Sequence, residues 1–272
     1  MRLPVGDLTF DALTAGPANG RLVVLLHGFP QTSWSWRHVI PVLAEAGYRV
    51  VAPDQRGYSP GARPDGVSAY RMPALVGDVI GMLDALGVER ADVVGHDWGA
   101  AVAWQLAGRH PGRVRTLTAV SVPHPLAFVE ALRTDDDQRR RSQYMKLFQS
   151  EGAAEQMLLG GGLRAAFGQA VEAVDADRYV ALMEEPGVLT TCLSWYRAQD
   201  LADISDLAAT TVPTLYVWSD DDAALGPVAA HATASHVCGP YRFEVLPGVS
   251  HWVPEQAPQQ LTGWLLEHLG AH

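Results

Sequence analysis

Gly95-His96-Asp97-Trp98-Gly99-Ala100 is the stretch on which the fold of this chain turns. An apolar, β-branched pair, Val93-Val94, leads into it, and Ala101-Val102-Ala103-Trp104-Gln105-Leu106-Ala107 reads as a helix behind it. A Gly-x-nucleophile-x-Gly pentapeptide between a strand and a helix makes a sharp, strained turn, and its small flanking residues let the two elements approach closely. Most such turns carry serine, which attacks a carbonyl carbon of the substrate. This one carries aspartate. A carboxylate suits an sp3 carbon bearing a leaving group and yields an alkyl–enzyme ester. The ester carbonyl then belongs to Asp97 itself, so water must attack there and an oxyanion hole would serve the second half-reaction. The pentapeptide by itself is equally compatible with an aspartate that caps a helix start.

The 272 residues suffice for one large α/β domain, with or without an inserted subdomain. Hydrophobic residues at 48% and charged residues at 18% are ordinary for a soluble globular chain. A net charge of −10 argues against nucleic acid and anionic membrane as partners, since both want a basic patch. The two cysteines, Cys192 and Cys238, suggest no disulfide framework. Met1–Asp7 lacks the apolar core of a signal peptide and no run of 18 apolar residues occurs, so a cytoplasmic protein is expected. A homodimer is compatible with this composition.

Upstream of the turn, Leu8–Leu13 alternates as an early edge strand, and Leu22–Leu26 is continuously apolar, as in a strand buried on both faces. It ends in His27-Gly28-Phe29-Pro30. Ser33–Ala46 reads as a helix broken or kinked at Pro41, Tyr48–Ala52 as a strand, and Pro73–Leu86 as an amphipathic helix. Val114–Val120 is the next strand. This alternation predicts an α/β fold with a mostly parallel sheet flanked by helices. From Pro123 to about Asp206 strand signals stop. That stretch holds the charge run Asp135-Asp136-Asp137 and Arg139-Arg140-Arg141, read as a solvated face, and several helical segments. Residues 1–122 and 207–272 are therefore assigned to the core, and 123–206 to an inserted helical cap or lid. Strands resume at Pro213–Trp218 and Phe243–Leu246, and a helix from Pro258 to Leu269 closes the chain.

Two later strands end where chemistry is needed. Pro213–Trp218 runs into Ser219-Asp220-Asp221-Asp222, and Phe243–Leu246 runs into Pro247-Gly248-Val249-Ser250-His251. The order Asp97, acid, His251 matches nucleophile, acid and base, at strand carboxyl ends where open α/β sheets bind ligands. The triple aspartate lacks the ligand spacing of a calcium loop, and the chemistry requires neither metal nor organic cofactor.

From Leu8 to the C-terminus the chain resembles the epoxide hydrolases of the α/β-hydrolase fold. The resemblance rests on His27-Gly28-Phe29-Pro30, Gly95–Ala100, Trp218-Ser219-Asp220-Asp221-Asp222 and Gly248-Val249-Ser250-His251-Trp252. It implies an oxyanion hole from the Phe29 and Trp98 amides and a cis Phe29–Pro30 bond. It also selects Asp222 as the acid, with Asp220 and Asp221 still in play, and Ser219 stands where the family has glycine. Two lid tyrosines are implied as donors to the leaving oxygen: Tyr144, in Tyr144-Met145-Lys146-Leu147-Phe148-Gln149, and Tyr196, in Ser194-Trp195-Tyr196-Arg197. Tyr179 has no such context and is read as packing. An epoxide oxygen leaves as a strongly basic alkoxide and needs an O–H donor, for which phenols of pKa near 10 are suited.

The implied reaction converts a small hydrophobic epoxide to a vicinal diol through an Asp97 ester, hydrolysed by water that His251 activates. The tryptophans Trp34, Trp36, Trp98, Trp195 and Trp252 fit an apolar substrate. Two alternatives share the chain's features. A haloalkane or haloacid dehalogenase uses the same aspartate and needs only N–H donors for halide, one of which Trp98 could supply. A non-catalytic ligand-binding protein on the same fold would be expected to have a broken triad.

Overall fold

Side chains alternate across an extended strand, so the unbroken apolar run Leu22–Leu26 demands cover on both faces. The computed structural model, which describes residues 1–272 apart from the side chain of Leu201, provides that cover. Its strands are β1 (Arg2–Val5), β2 (Leu8–Ala15), β3 (Leu22–Leu26), β4 (Arg49–Pro53), β5 (Ala91–His96), β6 (Val114–Val120), β7 (Thr214–Ser219) and β8 (Tyr241–Leu246). They form an eight-stranded sheet in the order β1-β2-β4-β3-β5-β6-β7-β8. Pairing is antiparallel at β1–β2 and β2–β4 and parallel from β4 to β8.

In the first half of the chain the helices are α1 (Ile40–Glu45), α2 (Met72–Ala85) and α3 (Trp98–Arg109). Between β6 and β7 come α4 (Pro125–Thr134), α5 (Asp136–Arg141), α6 (Gln143–Phe148), α7 (Ala153–Met157), α8 (Leu163–Phe167), α9 (Ala173–Glu184) and α10 (Val188–Arg197). The chain finishes with α11 (Pro227–Ala232), α12 (Val253–Gln256) and α13 (Pro258–Ala271) around β8. Leu22, Val24 and Leu26 pack in one cluster with Leu75 and Val79 of α2 and Val102 of α3. Val23 and Leu25 pack in another with Leu43 of α1 and Leu261 and Leu265 of α13. Each such buried side chain contributes about 1.5–3 kcal/mol relative to exposure.

The structure departs from the sequence expectations in three places. Leu8–Ala15 is not the edge: β1, too short to stand out in the sequence, pairs outside it. Ser33–Ala46 is broken, but ahead of Pro41 and not at it: Thr32 caps a 3-10 turn at Ser33–Trp36, and α1 begins afresh at Ile40 with Pro41 in its first turn. Pro41 thus starts a helix instead of bending one. The third departure concerns the charge run. Gln138, in its middle, is wholly buried, and Arg141 reaches the main chain of Asp222. Among the described residues no helix is long and apolar enough to cross a membrane.

Candidate active site

Asp97 stands between β5 and α3 at φ 51° and ψ −122°, a conformation costly for a residue with a Cβ, by about 1–3 kcal/mol. The turn is tight enough that a Cβ on Gly99 would lie 2.2 Å from the Leu26 carbonyl oxygen. Helix and strand can meet only over glycine there. The reward is a carboxylate aimed out of the sheet's carboxyl edge. One oxygen, Oδ1, accepts the Phe29 N–H at 2.8 Å.

That amide is presented by the His27-Gly28-Phe29-Pro30 turn, whose Phe29–Pro30 bond is cis. His27 is fully buried; its Nε2 accepts the Gln55 N–H at 3.0 Å, and burial lowers its pKa. It is thus a neutral strut for the turn. Gly28 crosses directly over Asp97, for a Cβ built on it would sit 2.3 Å from the Asp97 Cβ.

The other oxygen, Oδ2, faces His251 Nε2 at 3.4 Å. His251 Nδ1 lies 2.8 Å from Asp222 Oδ2. Asp222 is wholly buried, and its Oδ1 accepts the Ala224 and Leu225 N–H groups at 2.7 and 3.0 Å. Of the three consecutive aspartates it is the one at the imidazole. Asp220 and Asp221 are exposed, and Asp220 instead accepts the Gly248 N–H at 2.6 Å, bracing the loop that leads to His251. Burial alone would raise the Asp97 pKa, but the His251 bond and charge, with the Trp98 N–H, hold it below the ordinary value. Burial likewise disfavours the His251 imidazolium, yet the two flanking carboxylates outweigh it and raise the pKa. The free site is therefore an imidazolium between two carboxylates.

Two residues outside the sequence expectations hold the His251 backbone. His96 Nε2 and Ser121 Oγ donate to the His251 carbonyl at 2.8 and 3.0 Å. Burial and the neighbouring His251 charge push the His96 pKa down to about 4, so the ring stays neutral and a donor. Its grip on the loop that carries His251 could not be read without the fold.

Tyr144 on α6 and Tyr196 on α10 come together over Asp97, their ring centroids 6.3 Å apart at an angle of 76°. Tyr196 also packs edge-on against Trp98 at 5.0 Å and Phe29 at 5.5 Å. Burial first pushes both phenols above their ordinary pKa, followed by the Asp97 carboxylate for Tyr144 and by Tyr144 and then Asp97 for Tyr196, so both remain protonated. Tyr179, by contrast, gives its hydroxyl to Glu255 Oε1 at 2.7 Å, a structural bond. Among the described residues no protein acceptor takes the hydroxyl of Tyr144 or Tyr196.

Two cavities meet at this group. One, of about 210 Å³, runs past Trp98, Phe128, Leu132, Met145, Ile204 and Leu225. The other, of about 750 Å³, runs past Phe29, Phe148, Leu163, Phe167, His251 and Trp252. Asp97, Tyr144 and Tyr196 line both, so a bound molecule can extend apolar groups in two directions from the carboxylate. Trp36 and Trp195, by contrast, are core residues away from both cavities. Among the described residues, no group of three or more His, Cys, Asp or Glu side chains is disposed to hold a metal ion.

Comparison with known proteins agrees with this architecture. A family described as the alpha/beta hydrolase fold matches residues 21–258. The AB hydrolase superfamily protein YfhM of Bacillus subtilis (strain 168) is 35% identical, over 96% of this chain and 94% of that protein. Epoxide hydrolase A of Mycobacterium tuberculosis is also 35% identical, over 94% of this chain and 92% of that protein. The crystal structure of Epoxide Hydrolase A from Mycobacterium thermoresistibile superposes with a TM-score of 0.87 at 31% identity, covering 99% and 97% of the two chains. The chain belongs to the α/β hydrolase fold family, among relatives that bear the name epoxide hydrolase.

Proposed function

We propose that this protein is an epoxide hydrolase whose helical segment 123–206 serves as a cap and carries the two phenols that open the ring. The observation that carries the reading is the convergence of Tyr144, Tyr196 and Asp97 on both cavities, with both hydroxyls unspent on protein acceptors. A halide leaving group needs no such O–H donors. An alkoxide does.

In the first half-reaction the phenols bind the epoxide oxygen, and Asp97 Oδ2 attacks a ring carbon as the ring C–O bond breaks. The released oxygen takes a proton from a phenol. The phenolate is recharged from the His251 imidazolium across the cavity that Tyr144, Tyr196 and His251 share. Esterification removes the negative charge of Asp97 and with it one reason for the raised His251 pKa, so the imidazole is left neutral beside the new ester. In the second half-reaction His251 takes a proton from water, and the hydroxide adds to the Asp97 carbonyl carbon. The developing charge falls on Oδ1, which the Phe29 N–H already holds, and the Trp98 N–H also favours negative charge on this carboxyl group. Collapse expels the diol oxygen, which takes the His251 proton, and the carboxylic acid left on Asp97 passes its proton to the neutral His251, restoring carboxylate and imidazolium. Cytoplasmic residence belongs to the same reading, supported by the sparse cysteine content.

The test is turnover of styrene-type, aliphatic and stilbene-type oxides beside bromoalkanes, with His251→Gln as the diagnostic variant. Diol formation by the unaltered chain, and a stoichiometric alkyl adduct on Asp97 in the variant, are expected. Halide release without diol would instead favour a dehalogenase.

A further inference from the structure

The loop that carries Asp222 is held from outside the sheet by residues of the inserted segment. Gln138, wholly buried on α5, donates from Nε2 to the Ala224 carbonyl at 2.8 Å and accepts the Gly226 N–H on Oε1 at 2.8 Å. Its Nε2 also donates to Ser142 Oγ at 3.0 Å. A flipped amide would face donor to donor and acceptor to acceptor, so the network fixes its orientation. One turn later Arg141 donates to the main-chain carbonyl of Asp222 itself, while Asp137 Oδ2 pairs with the Arg141 Nε at 2.7 Å. From the sheet side, the Trp218 indole N–H reaches the Leu225 carbonyl at 3.1 Å.

This arrangement bears on the base, because the Asp222 carboxylate takes its orientation from the Ala224 and Leu225 amides of the same loop. Every residue from Asp222 to Gly226 except Ala223 is therefore anchored through its backbone, and Gln138 and Arg141 hold three of those main-chain groups. Removing the Gln138 amide would strand a buried N–H and leave a partly buried carbonyl without its donor, which the loop could satisfy only by moving. A shift there turns the carboxylate, and with it the imidazole whose Nδ1 it holds.

We infer that Gln138 and Arg141 are positioning residues for ester hydrolysis, acting from the inserted segment through the Asp222 loop on His251. The inference rests on the epoxide hydrolase reading. It assigns a task to part of a charge run that otherwise resembles a solvated helix face.

The experiment compares the unaltered chain with Gln138→Met and Arg141→Met on any epoxide from the panel that the unaltered chain turns over. Because only the second half-reaction slows, kcat and KM should fall together by about tenfold while kcat/KM stays within about twofold. The Asp97 ester should accumulate in the steady state, seen by mass spectrometry of quenched enzyme. Arg141 is partly exposed, with 29% of its side chain accessible, so its variant keeps the test alive should Gln138→Met not fold. Arg141→Lys, which retains a donor and a charge, should recover part of kcat. A fall in kcat/KM without ester accumulation, or unchanged kinetics in folded variants, overturns this inference and leaves the epoxide reading intact. Failure of the unaltered chain to form any ester overturns both.

Discussion

The two oxygens of the Asp97 carboxylate have different neighbours, an amide on Oδ1 and an imidazole on Oδ2, and on the proposed mechanism they serve different halves of one reaction. The division predicts separable lesions. Tyr144→Phe or Tyr196→Phe should slow ester formation by about a hundredfold each, and the double variant should retain next to none, as stopped-flow tryptophan fluorescence would show. Any halide release from bromoalkanes should be spared. The pH profile follows from the same geometry. Burial pushes His251 down, and Asp222 and Asp97 push it up by more. As the proposed base it must be neutral, so kcat is lost as pH falls through its value in the ester state. Asp222→Asn removes an anion that favours the imidazolium, so the His251 pKa drops and the acid limb of kcat moves to lower pH, at a reduced plateau. By contrast, kcat/KM needs ionised Asp97 and should persist until pH falls below the ordinary aspartate value of 3.8. An acid limb of kcat that moves upward in the variant would contradict the assignment.

At the scale of elements, the strand-to-helix turn and the His27–Pro30 turn are one device built from two chain segments. Gly28→Ala should be far more damaging than an ordinary surface change. Its Cβ would meet Asp97 at 2.3 Å, so either the Phe29 amide or the nucleophile must shift. A loss of about 100-fold or more in ester hydrolysis is expected from the missing amide, together with a lower thermal midpoint from the overpacked turn. Elements with a strong local signature were legible in the sequence. These were β3 by its unbroken apolar run, α2 by its stripe, and the turn at Asp97 by its glycines. Elements made by partners were not. β1 is four residues long and is defined by its register with β2, while the two halves of Ser33–Ala46 separate where Thr32 caps the first and Pro41 starts the second. The site showed the same divide. Asp97, Asp222 and His251 announced themselves by order along the chain, whereas the grip of His96 and Ser121 on the His251 carbonyl, and of Gln138 on the acid loop, joins residues more than 80 positions apart.

For the whole molecule, attachment of the inserted helices to the sheet is the question, and one buried charge cluster answers much of it. Arg37, beyond β3, pairs with Asp175 of α9 and Glu255 of α12, each at 2.7 Å. Trp34 Nε1 donates to Asp175 at 2.7 Å and Tyr179 to Glu255 at the same distance. Removing Asp175 strips Arg37 of one of its two carboxylates and leaves the Trp34 indole N–H without its acceptor, so Asp175→Ala should destabilise the chain by about 1–3 kcal/mol in denaturant unfolding. Wild-type stability in that variant would show the cluster to be energetically neutral. The segment between β6 and β7 carries both phenols, Gln138 and Arg141, while the nucleophile, the base, the acid and the two amides all lie outside it. On the proposed mechanism the donors to the leaving oxygen and the groups that cleave the ester come from separate stretches of sequence, joined through Gln138 and Arg141. Exchanging the insertion wholesale would therefore change what departs from the carbon and also release the acid loop from its outer anchor.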